Sequence, residues 1–140
     1  MALDDSLGHW AARLSWAARG ALERRLKPVG MTPPMMVALL ALAAGCSRAS
    51  DVARHMGVDA AAVTRLMDRL IDAGLVGRME PKGDRRSRSI ELTPKALALL
   101  PELQAVAAQA ERQLGRGLSS SQKAALIATL KALTRRAEQL

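Results

Sequence analysis

The highest density of basic side chains lies between residues 78 and 88. This stretch carries two acids, Glu80 and Asp84, against five basic residues: Arg78, Lys82, Arg85, Arg86 and Arg88. A guanidinium presents a planar set of donors that matches phosphate oxygens, whereas an exposed ion pair stabilises a fold by less than about 1 kcal/mol. We therefore expect these residues to bind a polyanion rather than to hold the fold together.

A segment with one polar face precedes the basic stretch. Its apolar residues at positions 63, 66, 67, 70 and 71 follow helical spacing and predict a buried stripe. Asp59 suits the cap at which such a helix begins, and Gly74 suits its end. The opposite face carries Thr64, Arg65, Asp68, Arg69 and Asp72.

A shorter helix, expected over residues 49–56, ends at Gly57 just before the polar helix. The three parts form a helix-turn-helix, whose second helix can lie in the major groove of DNA. Such helix pairs are also common in all-helical proteins, and polar faces are usually only solvated. The basic stretch favours DNA binding, because an arginine-tipped loop can enter the minor groove.

The polar helix supplies different kinds of DNA contact along its length. Alanines at its N-terminal end allow close approach, and their methyl groups can touch a thymine methyl. Arg65 can pair with a guanine edge, while Arg69, one turn further on, is better placed for a phosphate. The candidate DNA-contacting residues are Arg48, Ala61, Ala62, Thr64, Arg65, Arg69, Lys82, Asp84, Arg85, Arg86 and Arg88.

The rest of the pattern predicts a mainly helical chain with one hairpin. Strands expected at 75–79 and 87–92 flank the charged turn 80–86, and Thr93 caps a helix that begins at Pro94. Two helices come before the helix-turn-helix, and a last helix follows Gly115 and Gly117. The expected order is helix, helix, helix-turn-helix, hairpin, helix, helix.

Composition supports a helical, polyanion-binding protein. Apolar residues make up 49% of the 140 residues, with no Phe or Tyr, and the net charge is +8. The longest apolar run, residues 35–44, is far shorter than the roughly 20 residues of a membrane helix. The acidic start does not resemble a signal peptide, so we expect a cytoplasmic protein that uses no membrane.

The run from Asp51 to Leu100 resembles the MarR family of bacterial winged-helix transcription regulators. The most specific motifs are Gly-Leu-Val at 74–76, Asp-Arg-Arg at 84–86 and Leu-Thr-Pro-Lys at 92–95. The resemblance implies one domain over 1–140, with a winged helix-turn-helix lobe at 31–93 and dimerisation helices at 1–30 and 94–140. It implies that Arg85 and Arg86 approach DNA and that Asp84 pairs with an arginine at the wing tip. Departures include Ala61 and Ala62, where the family usually has polar residues.

The apolar seams of the terminal helices leave two packing arrangements open. Both seams have near-heptad spacing, at 3, 7, 10, 14, 17, 21 and at 126, 130, 133, 137, 140. They suit either pairing between two copies or packing on the chain's own core. The resemblance favours a homodimer that acts as a repressor on a pseudo-palindromic DNA site with half-sites about one helical turn apart.

Release from DNA by a small phenolic or aromatic carboxylate effector is a further implication of the resemblance. The candidate effector-binding residues are His9, Arg13, Trp16, Met35 and Met36, since arginine supplies a fork for a carboxylate. We expect Trp10, on the seam, to be core. Cys46, the single cysteine, is a candidate redox sensor near Arg48, although a lone cysteine among alanines is more often inert.

Enzymatic activity finds no support in the sequence. There is no glycine-rich phosphate loop, no nucleophile motif and no cluster of Cys and His with metal-ligand spacing, so we expect no cofactor and no metal. Two non-enzymatic alternatives remain. One is a protein that coats DNA without sequence preference, and the other is a membrane-surface protein with basic amphipathic helices.

Overall fold

The computed structural model describes residues 1–79 and 89–140, and its helices and strands confirm the expected fold class and order. A short 3-10 turn, Leu3–Asp5, precedes the first helix, and a second 3-10 turn, Lys27–Val29, follows that helix. The elements are α1 (Leu7–Leu26), α2 (Pro33–Ala43), α3 (Ala49–Met56), α4 (Ala60–Asp72), β1 (Val76–Met79), β2 (Ser89–Leu92), α5 (Pro94–Leu114) and α6 (Ser120–Ala137).

Helix starts follow the capping residues in the sequence. The Thr32 hydroxyl accepts from the backbone N–H of Met35, and the Asp59 carboxylate accepts from that of Ala62 at 2.7 Å. Ser119 and Gln122 form a reciprocal capping box at the start of α6. Arg48 stands at the cap of α3 without a side-chain capping bond, because its side chain has no acceptor.

The described chain divides into two compact units, Met1–Ala107 and Ala108–Leu140. The first contains one hydrophobic core, to which α2 contributes most of its length. The stripe of α4 joins this core through Val63, Leu66, Met67 and Leu70. Ile71, expected in the same stripe, is 36% exposed, because it lies at the edge of the buried arc.

The hairpin is attached to the core by backbone hydrogen bonds. β1 and β2 pair antiparallel, with Val76 opposite Leu92 and Arg78 opposite Ile90. The Ile90 N–H donates to the Ser47 carbonyl at 2.7 Å, which ties β2 to the segment before α3. Leu75 lies outside β1, contrary to expectation, because its N–H donates to the Leu70 carbonyl and closes α4. The expected turn 80–86 and the start of the second strand lie outside the described residues, as do Lys82, Asp84, Arg85, Arg86 and Arg88.

The apolar seam of α1 does not pack on the core of its own chain. Leu7 and Leu14 are exposed, and Trp10, which we expected in the core, is 49% exposed. α1 packs on the core near its C-terminal end, through the buried Leu26 and the partly buried Leu22. In the second unit, α6 contains no buried residue, and Leu126 and Leu130 are exposed.

We compared the helices with the length and hydropathy that a membrane span needs. Among the described residues, no one helix has both the length and the hydropathy to cross a membrane. The bent pair Leu7–Val29 and Pro33–Ala43 meets the criteria only when the two are taken together.

Thr93 links the start of α5 to the end of α4, and its removal should destabilise the fold. Its hydroxyl donates to the Gly74 carbonyl at 2.6 Å and accepts from the Ala96 N–H at 3.3 Å. Thr93→Val loses both bonds, so we expect the free energy of unfolding to fall by about 1–2 kcal/mol in urea titrations at fixed protein concentration.

Thr129→Val is the matched control for this substitution. The Thr129 hydroxyl donates only to the Ala125 carbonyl of its own helix, an interaction that adds little to helix stability. Equal losses in the two variants would contradict a special role for Thr93.

Candidate nucleic-acid interface

The exposed face of α4 carries the side chains that could contact DNA. Burial of the apolar stripe directs Thr64, Arg65 and Arg69 to solvent, and Ala61 at the N-terminal end is also exposed. Ala62 is half-buried, which reduces the surface with which it can contact DNA. The exposed face therefore combines small residues at its tip with two guanidiniums further along.

The Thr64 hydroxyl donates its hydrogen bond to the backbone of its own helix. Its Oγ1 donates to the Ala60 carbonyl at 2.8 Å, so the oxygen keeps lone pairs with which to accept a hydrogen bond. Arg65 and Arg69 make no ion pair or side-chain hydrogen bond with the described part of the chain. Their donors are thus available to an external anion or base edge.

The turn before α4 sets the angle between the two helices of the pair. Gly57 has φ +70°, a left-handed conformation that costs a residue with a side chain about 1 kcal/mol or more. The N–H of Val58 then donates back to the Ala53 carbonyl at 3.1 Å and closes α3. The turn of the predicted helix-turn-helix is therefore set by the backbone conformation of Gly57 and the backbone hydrogen bond of Val58.

The C-terminal end of α4 is held by two side chains at the start of α5, those of the capping residue Thr93 and of Lys95. Lys95 Nζ donates to the Ala73 carbonyl at 2.7 Å, and Thr93 Oγ1 donates to the Gly74 carbonyl. A cation at this end also complements the negative end of the helix dipole. The sequence indicated the Thr93 cap but not the Lys95 contact, since a lysine to a distant carbonyl leaves no periodic pattern.

An ion pair that sequence reasoning missed joins α4 to the hairpin. Asp68 Oδ1 lies 3.5 Å from Arg78 Nη2. The sequence places Arg78 in the basic stretch and does not indicate this partner. Arg78 also lines a cavity of about 200 Å³ between α4 and the hairpin, together with Ala49, Thr64, Met67 and Ile90.

Comparison with known proteins identifies the family. The sequence model of the MarR family matches residues 32–87, which span α2 to the basic stretch. The solved structure of the transcriptional regulator PA3341 is 31% identical over 96% of this chain and 100% of that chain, with a TM-score of 0.81.

The chain belongs to the MarR family of transcription regulators.

Other MarR-like structures share the fold over nearly the whole chain. CouR from Rhodococcus jostii RHA1, solved with bound p-coumaroyl-CoA, is 25% identical over 95% of this chain and 94% of that chain, with a TM-score of 0.84. A mutant of MarR from E. coli, solved with operator DNA, is 23% identical over 91% of this chain and 92% of that chain, with a TM-score of 0.80. At this level of identity the latter likeness is one of fold.

The effector-binding residues expected for this MarR-family chain fall into two environments. On α1, the Arg13 guanidinium lies 5.2 Å from the centre of the Trp10 ring, and the His9 ring meets Trp10 edge-on at 5.7 Å. Trp10 Nε1 donates to the Asp4 carbonyl at 2.8 Å, which fixes the indole. Trp16 is exposed, whereas Met35 and Met36 are buried in the core. The structure thus groups His9 and Arg13 around Trp10, a residue that we had assigned to the core.

Cys46 lies between α2 and α3 and is half-buried against the core. Its backbone N–H donates to the Ala41 carbonyl at 3.1 Å. Cys46 lines a shallow cleft together with Asp51, Arg54 and His55. Asp51 and Arg54 are paired with each other at 3.1 Å. The expected neighbour Arg48 is exposed and does not line this cleft.

Proposed function

We propose that this MarR-family regulator is a homodimeric repressor that reads a pseudo-palindromic DNA site with α4 and is released by a small aromatic carboxylate. The observation that carries the DNA-binding part is the fixed rotation of α4. Its buried stripe leaves Thr64 and Arg65 exposed near the N-terminal end, the part of such a helix that reaches base edges. We keep 31–93 as the DNA-binding lobe and 1–30 with 94–140 as the dimerisation part of one domain over 1–140.

Base reading and phosphate binding fall to different residues in this proposal. Arg65, in the second turn of α4, pairs with a guanine edge, and the exposed Arg69 binds a phosphate. Phosphate contacts are added by Arg48 at the start of α3 and by the basic residues Lys82, Arg85, Arg86 and Arg88. Asp84 pairs with an arginine at the wing tip in this proposal. The alanines at 61 and 62 allow the close approach that base contacts need.

The exposed seams of the terminal helices support a homodimer. α6 buries none of its residues and exposes Leu126, Ile127 and Leu130. α1 exposes Leu7, Trp10 and Leu14. Aligned large apolar side chains at this spacing are stabilised when a second helix removes them from water. A second copy of the chain is the partner we propose, since a two-fold assembly matches a pseudo-palindromic site.

An exposed cation among aromatic rings supports an effector site on α1. Arg13 supplies a fork for a carboxylate, and the rings of His9 and Trp16 supply stacking surfaces. Met35 and Met36, the other two candidates, are buried in the core. CouR, one of the structural neighbours, was solved with p-coumaroyl-CoA, whose coumaroyl part is an aromatic acyl group. Redox sensing by Cys46 stays a separate prediction.

Selection of bound fragments from random-sequence DNA tests the central part of the proposal. The wild-type chain should recover an inverted repeat with half-sites about one helical turn apart. Arg65→Ala should weaken binding by about 1–3 kcal/mol and relax one position in each half-site, whereas Arg69→Ala should weaken binding to all sequences about equally. Uniform recovery of every fragment by the wild type would favour a protein that coats DNA without sequence preference.

Charge placed in the α6 seam should shift the chain from dimer to monomer. Leu130→Glu puts a carboxylate where the proposed partner helix packs, and sedimentation equilibrium should then give the monomer mass. Ala128→Glu is the control, because Ala128 is exposed on the opposite side of α6 and should leave the dimer intact. A monomeric wild-type chain, or two variants that behave alike, would contradict the interface.

Aromatic carboxylates should bind the α1 site and change the tryptophan fluorescence of the wild-type chain. Arg13→Gln removes the proposed carboxylate partner, so its apparent Kd should rise about tenfold or more. Arg19→Gln is the control, since Arg19 lies on the same helix and is paired with Glu23 at 3.1 Å. No fluorescence change with any aromatic acid, or equal binding by both variants, would count against the site.

A further inference from the structure

We propose that Asp68 is a positioning residue for DNA binding, because its carboxylate holds the Arg78 guanidinium beside α4 and keeps that cation from DNA phosphates. The inference rests on the proposed function, in which the exposed face of α4 meets DNA. The two side chains approach to 3.5 Å, and the contact joins α4 to the first strand of the hairpin.

Asp68 occupies an unexpected place for a carboxylate. It follows Thr64 by four residues and therefore lies about 40° from it around the helix, on the face assigned to DNA. The Asp68 side chain is 62% exposed. An unpaired carboxylate there would repel phosphates, and Arg78 neutralises it. The same pairing cancels the charge of Arg78, so the pair as a whole offers DNA no net charge.

The pair is not what holds β1 in place. β1 is paired with β2, Val76 is buried, and the neighbouring Ile90 N–H is bonded to the Ser47 carbonyl. The Asp68–Arg78 contact is long, single and exposed, and contacts of that kind add little to stability. Its removal should therefore leave the fold intact and change only where the guanidinium points.

Arg78 lies beside apolar residues, and its side chain is partly exposed. It lies opposite Ile90 in the strand register and lines the cavity of about 200 Å³ with Ala49 and Met67. Apolar groups thus line the cavity beside its stem, while the side chain remains 42% exposed. When the carboxylate is absent, the guanidinium is free to swing outward and contact a phosphate.

Salt dependence of binding to a random-sequence duplex measures the number of phosphate contacts directly. Each cation that reaches a phosphate makes the slope of log K against log salt steeper by about 0.9. In the 140-residue chain, Asp68→Asn should steepen the slope by about that amount. Its affinity should then gain about three- to fourfold more than the wild-type affinity when salt falls from about 200 to about 50 mM.

Four further variants separate the effect of the pair from that of simple charge removal. Asp72→Asn removes an exposed carboxylate one turn further along α4 that has no ion-pair partner among the described residues, and its slope should match the wild-type slope. Asp68→Glu keeps a carboxylate within reach of Arg78 and should also keep the wild-type slope. Asp68→Asn combined with Arg78→Gln should show the same slope as Arg78→Gln alone. Urea unfolding of each variant confirms that it is folded.

Two results would overturn the inference while leaving the proposed function standing. One is an Asp68→Asn slope equal to that of Asp72→Asn, and the other is steepening that persists when Arg78 is replaced. A wild-type chain that binds no DNA at any salt concentration would overturn the proposed function and this inference together.

Discussion

The buried stripe of α4 fixes the rotation of that helix about its own axis, and the proposed DNA contacts depend on that rotation. Val63, Met67 and Leu70 are almost completely buried, so the helix presents the face that carries Thr64 and Arg65 to solvent. A turn of the helix by one residue would move a guanidinium toward the core and an apolar side chain into water. Burial of an unpaired charge costs several kcal/mol or more, so the observed rotation is strongly preferred.

The two ends of α4 are secured by different elements. Asp59 caps the N-terminal end from within the helix-turn-helix, which leaves that end slim and open to solvent. The C-terminal end is bonded to the side chains of Thr93 and Lys95 at the start of α5. A shift of the first turn of α5 would therefore move the end of α4 with it.

The surface around α4 carries both basic side chains, which attract DNA phosphates, and acidic ones, which repel them. Arg65 and Arg69 point outward without partners among the described residues, whereas Asp68 retains Arg78 at the edge of the hairpin. A regulator with too many free cations would bind any DNA, since phosphate contacts carry no sequence information. In the proposal above, an exposed carboxylate of the same chain pairs with one arginine and so lowers this non-specific binding.

Much of the fold could be predicted from the sequence because its determinants are local. Capping residues such as Asp59 and the glycine stop at Gly57 act within one turn, and the apolar spacing of α4 indicates its buried face. Ile71 was misplaced because periodicity does not say where the edge of a buried arc lies. Trp10 was misplaced because a seam does not reveal its partner, and α1 packs on the core through Leu26 instead. The Asp68–Arg78 pair could not be predicted, since opposite charges ten residues apart follow no helical or strand period. The DNA contacts assigned to the basic stretch stay predictions.

Guanine-N7 methylation interference on the selected DNA duplex tests the central claim most directly, because N7 lies in the major groove where α4 is proposed to bind. If α4 reads each half-site through Arg65, methylation of guanines in two patches about one helical turn apart should block binding by the wild-type chain. The same guanines should lose their effect with Arg65→Ala. Binding that is indifferent to methylation at every guanine would contradict major-groove reading by α4.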